Sequence, residues 1–311
     1  MSKKKYKGVV VPVITPLTEQ YKLDHQAVEK IISNLQKHQT MPFILGTTGE
    51  ASSLSAALKY DYLRLVVRLK QSSDITYAGI SSNCLEESIE LAKRYFDAGL
   101  DIAIATLPSY YMLSGDNMKQ YFEQLANAIP GPLIIYNMPA TTHMSIPLDV
   151  IDYLSHHENI AGIKDSERSE ERLKDSITRW KTRPDFSHFL GWAAKSAEAL
   201  IQGSDGLVPS TGNIHPQLYN EMYLAVLKND HEKARQLQIH SDLLGDLYQS
   251  GRMLGESLAA LKVVMEELGL CEPYMMPPLC TLEEKSITEL NQTFHQLLKK
   301  EQIILKTVNH V

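Results

Sequence analysis

Lys164 closes the apolar run Ile160-Ala161-Gly162-Ile163. A lysine beside low-dielectric walls has its ammonium disfavoured, and the neutral amine is a nucleophile toward a ketone. From position alone it could as well reach out to solvent or pair with Asp165. Tyr136 closes the run Leu133-Ile134-Ile135. It could carry the protons that imine formation needs, because a carbinolamine must gain and lose them, or it could simply cap a core. Thr47 and Thr48 lie in a glycine-flanked loop, Gly46-Thr47-Thr48-Gly49-Glu50. Two hydroxyls and backbone N–H groups there could hold a carboxylate. A phosphate cradle competes with that reading, but no Gly-Lys-Ser/Thr ends the loop, and a plain turn also stays open.

Other chemistries find less support. His156-His157 falls between a helical and a strand-like stretch, with no His-Glu-x-x-His or clustered carboxylates, so it reads as a solvated loop pair rather than a metal site. No Gly-x-Ser-x-Gly and no Gly-x-Gly-x-x-Gly occurs, which removes serine-hydrolase and dinucleotide readings. Cys84, Cys271 and Cys280 form no Cys-x-x-Cys pair, and each is expected to be a small buried hydrophobe.

The elements that must position these residues are short apolar runs alternating with amphipathic stretches. Runs at 9–14, 42–45, 75–80, 102–106, 133–136, 160–163, 188–190 and 206–208 read as eight strands, several apolar on both faces as in a fully covered parallel sheet. Leu58, Tyr62, Leu65, Val66 and Leu69 make a helical stripe behind a Ser55 cap. Met118, Tyr121, Phe122, Leu125 and Ile129 make another, and Leu218, Met222, Ala225 and Val226 a third behind Pro216. Strand starts recur every 20 to 33 residues or so, the length of a βα unit. Eight units in a row match an α/β fold of the (β/α)8 TIM-barrel type better than a doubly wound sheet. After Val208 the pattern turns helical, with stripes at Leu258, Leu261, Met265 and Leu268 and at Ile287, Leu290, Phe294, Leu297 and Leu298, separated by Pro273, Pro277 and Pro278. The expected organisation is a barrel over 1–228 that carries the site and a C-terminal helical extension over 229–311 packed on it.

Composition narrows the function classes. The 311 residues are 43% hydrophobic and 22% charged, values of an ordinary globular chain rather than a disordered one or a membrane bundle. A formal net charge of −6 makes a poor ligand for nucleic-acid backbones. The one dense basic run, Lys3, Lys4, Lys5 and Lys7, reads as a solvated N-terminal tail. The apolar stretch after it is too short for a signal peptide, contains Pro12 and lacks a small-residue cleavage site. No run approaches the length of a membrane span, and a cytoplasmic protein is expected.

Together, Gly46-Thr47-Thr48-Gly49-Glu50, Tyr136-Asn137-Met138-Pro139 and Gly162-Ile163-Lys164-Asp165 resemble the dihydrodipicolinate synthase / N-acetylneuraminate lyase family in order and spacing. Tyr110-Tyr111 falls where that family has paired tyrosines, and the helix at 262–270 and the proline-rich turn at 275–279 match as well. The resemblance implies a class I, Schiff-base-forming lyase or aldolase acting on pyruvate or another 2-keto acid, with an aldehyde as the other partner. It needs no metal and no organic cofactor, because the covalent lysine imine is itself the electron sink. Residue by residue, it implies that Lys164 forms the imine, Tyr136 is the acid/base, and Thr47 and Tyr111 complete a proton relay. Tyr111 would come from the neighbouring subunit of a homotetramer built as a dimer of dimers. Thr48 and the Thr47 N–H would hold the carboxylate, Gly191 and the Val208 carbonyl would line the pocket, and Thr141, Ser166 and Ser210 would complete the substrate-binding set.

Departures from the family pattern bear on the substrate. Lysine-pathway synthases carry an arginine two residues beyond the proline of the tyrosine motif, to bind the second substrate's carboxylate. Thr141 stands there, and a bidentate clamp is lost. Sialic acid lyases carry an acidic pair after the seventh strand's glycine, where this chain has Ala193 and Ala194 behind Gly191 and Trp192. Pro139-Ala140-Thr141-Thr142 with Lys164-Asp165-Ser166 looks closer to 2-keto-3-deoxy sugar acid aldolases. The runner-up is a 4-hydroxy-tetrahydrodipicolinate synthase condensing pyruvate with aspartate semialdehyde. A reading of another class is a barrel that binds a keto acid without turnover. Against it stands the joint presence of Lys164, Tyr136, Thr47, Thr48 and Tyr111, since a binding site needs no proton relay.

Overall fold

In the computed structural model, which describes residues 4–305, the apolar runs form eight parallel strands that close in chain order into a barrel. These are β1 (Gly8–Pro12), β2 (Met41–Ile44), β3 (Tyr77–Gly79), β4 (Ile102–Thr106), β5 (Leu133–Asn137), β6 (Ile160–Asp165), β7 (Ser187–Leu190) and β8 (Gly206–Leu207). Pairing of Gly8 with Gly206 and of Val9 with Leu207 seals the ring. Around it run α1 (His25–Lys37), α2 (Ala56–Leu69), α3 (Leu85–Asp97), α4 (Gly115–Ala128), α5 (Pro139–Thr142), α6 (Leu148–Leu154), α7 (Glu170–Trp180) and α8 (Ser196–Gln202). After β8 come α9 (Pro216–Leu227), α10 (His231–Gln249), α11 (Leu254–Glu267) and α12 (Glu284–Lys300). Among the described residues no helix is long and apolar enough to cross a membrane.

Side-chain alternation divides the core in two. Val10, Phe43, Tyr77, Ile102, Ile104, Ile134, Tyr136, Phe189 and Val208 pack together inside the barrel. The intervening residues, such as Val9, Val11, Ala103, Ala105, Ile135 and Ile163, pack outward against the helices. Helix starts are set by local chemistry: Ser55 accepts from the Leu58 N–H, Ser114 and Asn117 form a capping box, and Asp230 accepts from the Lys233 N–H. Helix α11 is buried on every side from Ser257 to Met265, so it belongs to the core rather than to the surface.

Three expectations are corrected. Strand β6 does not stop at Ile163: the ladder continues through Tyr136 opposite Lys164 and Asn137 opposite Asp165, which puts Lys164 within the strand. The basic N-terminal run is not a solvated tail at Lys4, whose side chain is 1% exposed. Its Nζ donates to the Trp180 carbonyl at 2.8 Å and to Asp205 Oδ2 at 2.6 Å. That same oxygen accepts from the His188 N–H at 2.9 Å, so a carboxylate is already fixed at the start of β8 and needs a counter-charge. Lys5 and Lys7 are exposed as expected, and Lys3 lies outside the described residues. Cys271 is buried, but Cys84, just before α3, and Cys280, in the turn after Pro278, are exposed. Loop positions give them no core to enter.

Replacing Asp205 by Ala should leave the Lys4 ammonium buried and unpaired and lower stability by about 3–5 kcal/mol. Urea denaturation measures this, and an unchanged midpoint would show that the pair carries no weight.

Candidate active site

The C-terminal ends of the strands open into a cavity of about 970 Å³. That is near the upper end of small-molecule sites, while pyruvate has only six or so non-hydrogen atoms to fill it. Lys164, Tyr136, Thr47, Thr48, Ser166, Gly191, Val208 and Ser210 all line it. Lys164 is 4% exposed, with Nζ 3.7 Å from the centre of the Tyr136 ring and 4.8 Å from that of Phe43. Both positions point inward because Tyr136 and Lys164 are register partners on neighbouring parallel strands.

Neither bland role for Lys164 survives. It does not reach solvent, and it does not pair with Asp165, because consecutive strand residues face opposite sides. Asp165 instead binds Arg172 Nε at 2.7 Å and accepts from Asn137 Nδ2 at 2.9 Å. Asn137 also donates to Glu167 at 3.0 Å and accepts from the Ile146 N–H at 3.0 Å, so the ends of β5 and β6 are pinned behind the site. Burial pushes the Lys164 ammonium below the usual lysine range, the Tyr136 hydroxyl opposing only in part. Burial alone would raise the Tyr136 phenol, but the Lys164 charge and hydrogen bonds with Thr47, Lys164 and Ser166 outweigh it and hold it below its ordinary value.

The loop after β2 delivers the two threonines. Leu45 and Glu50, at its two ends, both have left-handed backbone, with φ of 58° and 56°. Non-glycine residues there cost on the order of 1–3 kcal/mol each unless the surroundings hold them. Thr15 Oγ1 donates to the Gly49 carbonyl at 2.6 Å and the Ala51 N–H to that of Gly46 at 3.3 Å. A side chain at Gly46 would put its Cβ 2.8 Å from the Phe43 ring, so only glycine lets the loop lie on the aromatic that flanks Lys164. At Gly191 a Cβ would lie 2.0 Å from Ser166 Oγ, so this glycine leaves Ser166 its place beside Tyr136. Ser210 Oγ shares a 2.7 Å hydrogen bond with the Tyr248 hydroxyl.

Two residues of the expected set are elsewhere. Thr141 bonds the Met138 carbonyl at 3.3 Å and lines a second cavity of about 310 Å³, which shares Thr47 and Tyr136 with the first. Tyr110 and Tyr111 stack edge to face, 78% and 73% exposed, and neither lines the Lys164 cavity within this chain. Conversely, Ser241, Asp242, Asp246 and Gln249 of α10, together with Arg168 and Arg252, form the outer wall and were not singled out from sequence. For the α10 residues the one signal is a helix whose buried side is partly polar, with Ser241 and Tyr248 beside Ala234 and Leu244. No group of three or more His, Cys, Asp or Glu side chains is arranged for a metal among the described residues.

A parallel eight-stranded barrel with a buried lysine amine and a hydrogen-bonded phenol at its mouth can form an imine with a ketone and move protons beside it. Residues 5–297 match the Dihydrodipicolinate synthetase family, and the chain belongs to it. This is a family of Schiff-base pyruvate aldolases, and the protein is a lyase of that kind. A 4-hydroxy-tetrahydrodipicolinate synthase from Alkalilimnicola ehrlichii is 28% identical over 94% of this chain and 98% of its own. A DapA-like lyase from Thermococcus kodakarensis, described as uncharacterized, is 32% identical over 91% of this chain and 96% of its own. The crystal structure of YagE from E. coli K12, a prophage protein of the same family in complex with pyruvate, superposes with a TM-score of 0.88 at 26% identity. It covers 94% of this chain and 99% of that one.

In competitive acetylation followed by peptide mapping, Lys164 should become reactive at a lower pH than free N-acetyl-lysine added as reference. An equal or higher midpoint would contradict the effect of its burial.

Proposed function

We propose that this lyase cleaves or forms the C–C bond of a 2-keto acid, with a 2-keto-3-deoxy sugar acid as the substrate class. The neutral Lys164 amine adds to the keto carbon, Tyr136 protonates the carbinolamine oxygen, and water leaves as the protonated imine forms. That imine takes up the electron pair of the breaking bond: an aldehyde departs, its alcohol proton passing to the Tyr136 phenolate, and an enamine remains. Protonation of the enamine and hydrolysis of the imine then return pyruvate and free lysine. Thr47 passes protons to Tyr136, while Thr48 and the Thr47 N–H hold the substrate carboxylate. Ser166, Gly191, the Val208 carbonyl and Ser210 border the reacting carbons, and Thr141 acts from the adjoining cavity. The observation that carries this reading is the buried Lys164 amine 3.7 Å from the ring of a phenol that itself bonds Thr47. No metal or organic cofactor enters any step.

Two features favour the sugar-acid class: the site far exceeds pyruvate in volume, and its outer wall of Ser241, Asp242, Asp246 and Gln249 offers partners for hydroxyls. The relatives named 4-hydroxy-tetrahydrodipicolinate synthase favour aspartate semialdehyde as the second reading. Against it stands Thr141, whose hydroxyl is bonded to a backbone carbonyl and offers no bidentate clamp.

Exposed Tyr110, Tyr111 and Met112 suit a subunit contact that carries Tyr111 into a neighbour's relay, and we assign a homotetramer, a dimer of dimers. The three free cysteines suit the reducing cytoplasm. A species of four chains is expected in analytical ultracentrifugation, and a fully active monomer would remove Tyr111 from the relay.

Borohydride with pyruvate should fix an adduct on Lys164, and Lys164→Arg should abolish it without unfolding the chain. Tyr136→Phe should slow turnover by roughly 10²–10⁴-fold. Turnover of 2-keto-3-deoxy acids against aspartate semialdehyde decides the substrate. A folded protein that forms no adduct with either kind of keto acid refutes the imine.

A further inference from the structure

Glu50 and Lys262 form an ion pair at 2.6 Å whose side chains are 0% and 1% exposed, and no step described above uses either. Buried ion pairs are weak sources of stability, often matched by apolar residues of the same volume. Glu50 also holds a left-handed backbone, where glycine would be unstrained. What glutamate adds is its carboxylate. Oε2 accepts from the Met276 N–H at 2.7 Å, and apart from the Lys262 ammonium Oε1 has no partner among the described residues. Lys262 in turn donates to the Tyr274 carbonyl at 2.6 Å. The loop bearing Thr47 and Thr48 is thereby fastened to α11 and to the segment after it.

We propose that the Glu50–Lys262 pair positions this loop, holding Thr47 against Tyr136 and Thr48 toward the keto-acid carboxylate. The C-terminal helices thereby become part of the catalytic apparatus without touching substrate. This rests on the imine-forming reading given above.

Two measurements need no knowledge of the aldehyde. One is borohydride trapping across pyruvate concentrations. The other is exchange of the pyruvate C3 protons with D2O, followed by proton NMR: the imine loses a C3 proton to base and regains a deuteron from solvent. Glu50→Gln preserves size and the acceptor for Met276 while removing the charge, and Lys262→Met in the same chain removes the orphaned ammonium. Both proteins should still form the adduct at saturating pyruvate, with half-saturation raised about tenfold and exchange slowed about 10²-fold, the cost of misplacing a relay by an ångström.

Lys4→Met, which breaks another largely buried pair, outside the site, should lower the denaturation midpoint and leave both readouts unchanged. Wild-type exchange and half-saturation in the folded Glu50 and double variants would overturn the proposal. So would an equal loss in Lys4→Met, which would mean general loosening. Should Glu50→Gln not fold, Glu50→Asp, which keeps the charge and withdraws it by one methylene, is read in the same way. A wild-type chain that traps no pyruvate removes the underlying reading, and the proposal with it, before any variant is compared.

Discussion

An amine that must lie among aromatic rings has no good place for a positive charge, and that constraint organises the mouth of the barrel. Lys164 sits 4.8 Å from the centre of the Phe43 ring and 3.7 Å from that of Tyr136, largely shut away from water. The rings attract the cation through their faces, but burial disfavours it more strongly, and the amine is drawn toward its neutral form. The phenol shifts in the complementary sense because the same lysine and its hydroxyl neighbours support its anion. Packing thus sets a buried amine beside a phenol whose anion it supports, with no imported charge.

Such an arrangement works only if its walls do not relax. Behind the strands, Asp165 is shared by Arg172 and Asn137, so the carboxylate next in sequence to Lys164 is fully engaged on the outer face and cannot swing in to stabilise the ammonium. In front, the threonine loop is bracketed by two left-handed residues and rests on Phe43 through Gly46. The strain at Leu45 and Glu50 is kept in place by contacts from Thr15, just after β1, from α11 and from the segment after α11.

The strands were legible because parallel strands covered on both faces read as apolar runs, and the lysine, tyrosine and threonines were legible because barrel sites gather where those runs end. Periodicity did not show that β6 continues past Ile163, since the extension follows from hydrogen bonding to β5 and not from hydrophobicity. Lys4 reads as solvated in the sequence because its partner, Asp205, is 201 residues away, and charge patterning reports only near neighbours. The outer wall from α10 escaped notice because a helix side built of Ser241, Asp242 and Gly245 resembles a solvated face until a cavity is placed against it. Tyr111 owes its suggested role to resemblance alone, for in a single chain its ring stands in the open.

The tether at Glu50 also has a consequence in time. Met276, whose N–H it receives, is made 226 residues later, so on a ribosome the threonine loop, already bonded to Thr15, is complete long before this second tether exists. The strands of the barrel can pair as they emerge, since apart from the closing β1–β8 contact each pairs with its neighbours in chain order. A nascent barrel would therefore carry its lysine, phenol and threonines while the loop still lacked its second anchor. The full relay geometry would arrive last, as a property of the finished chain.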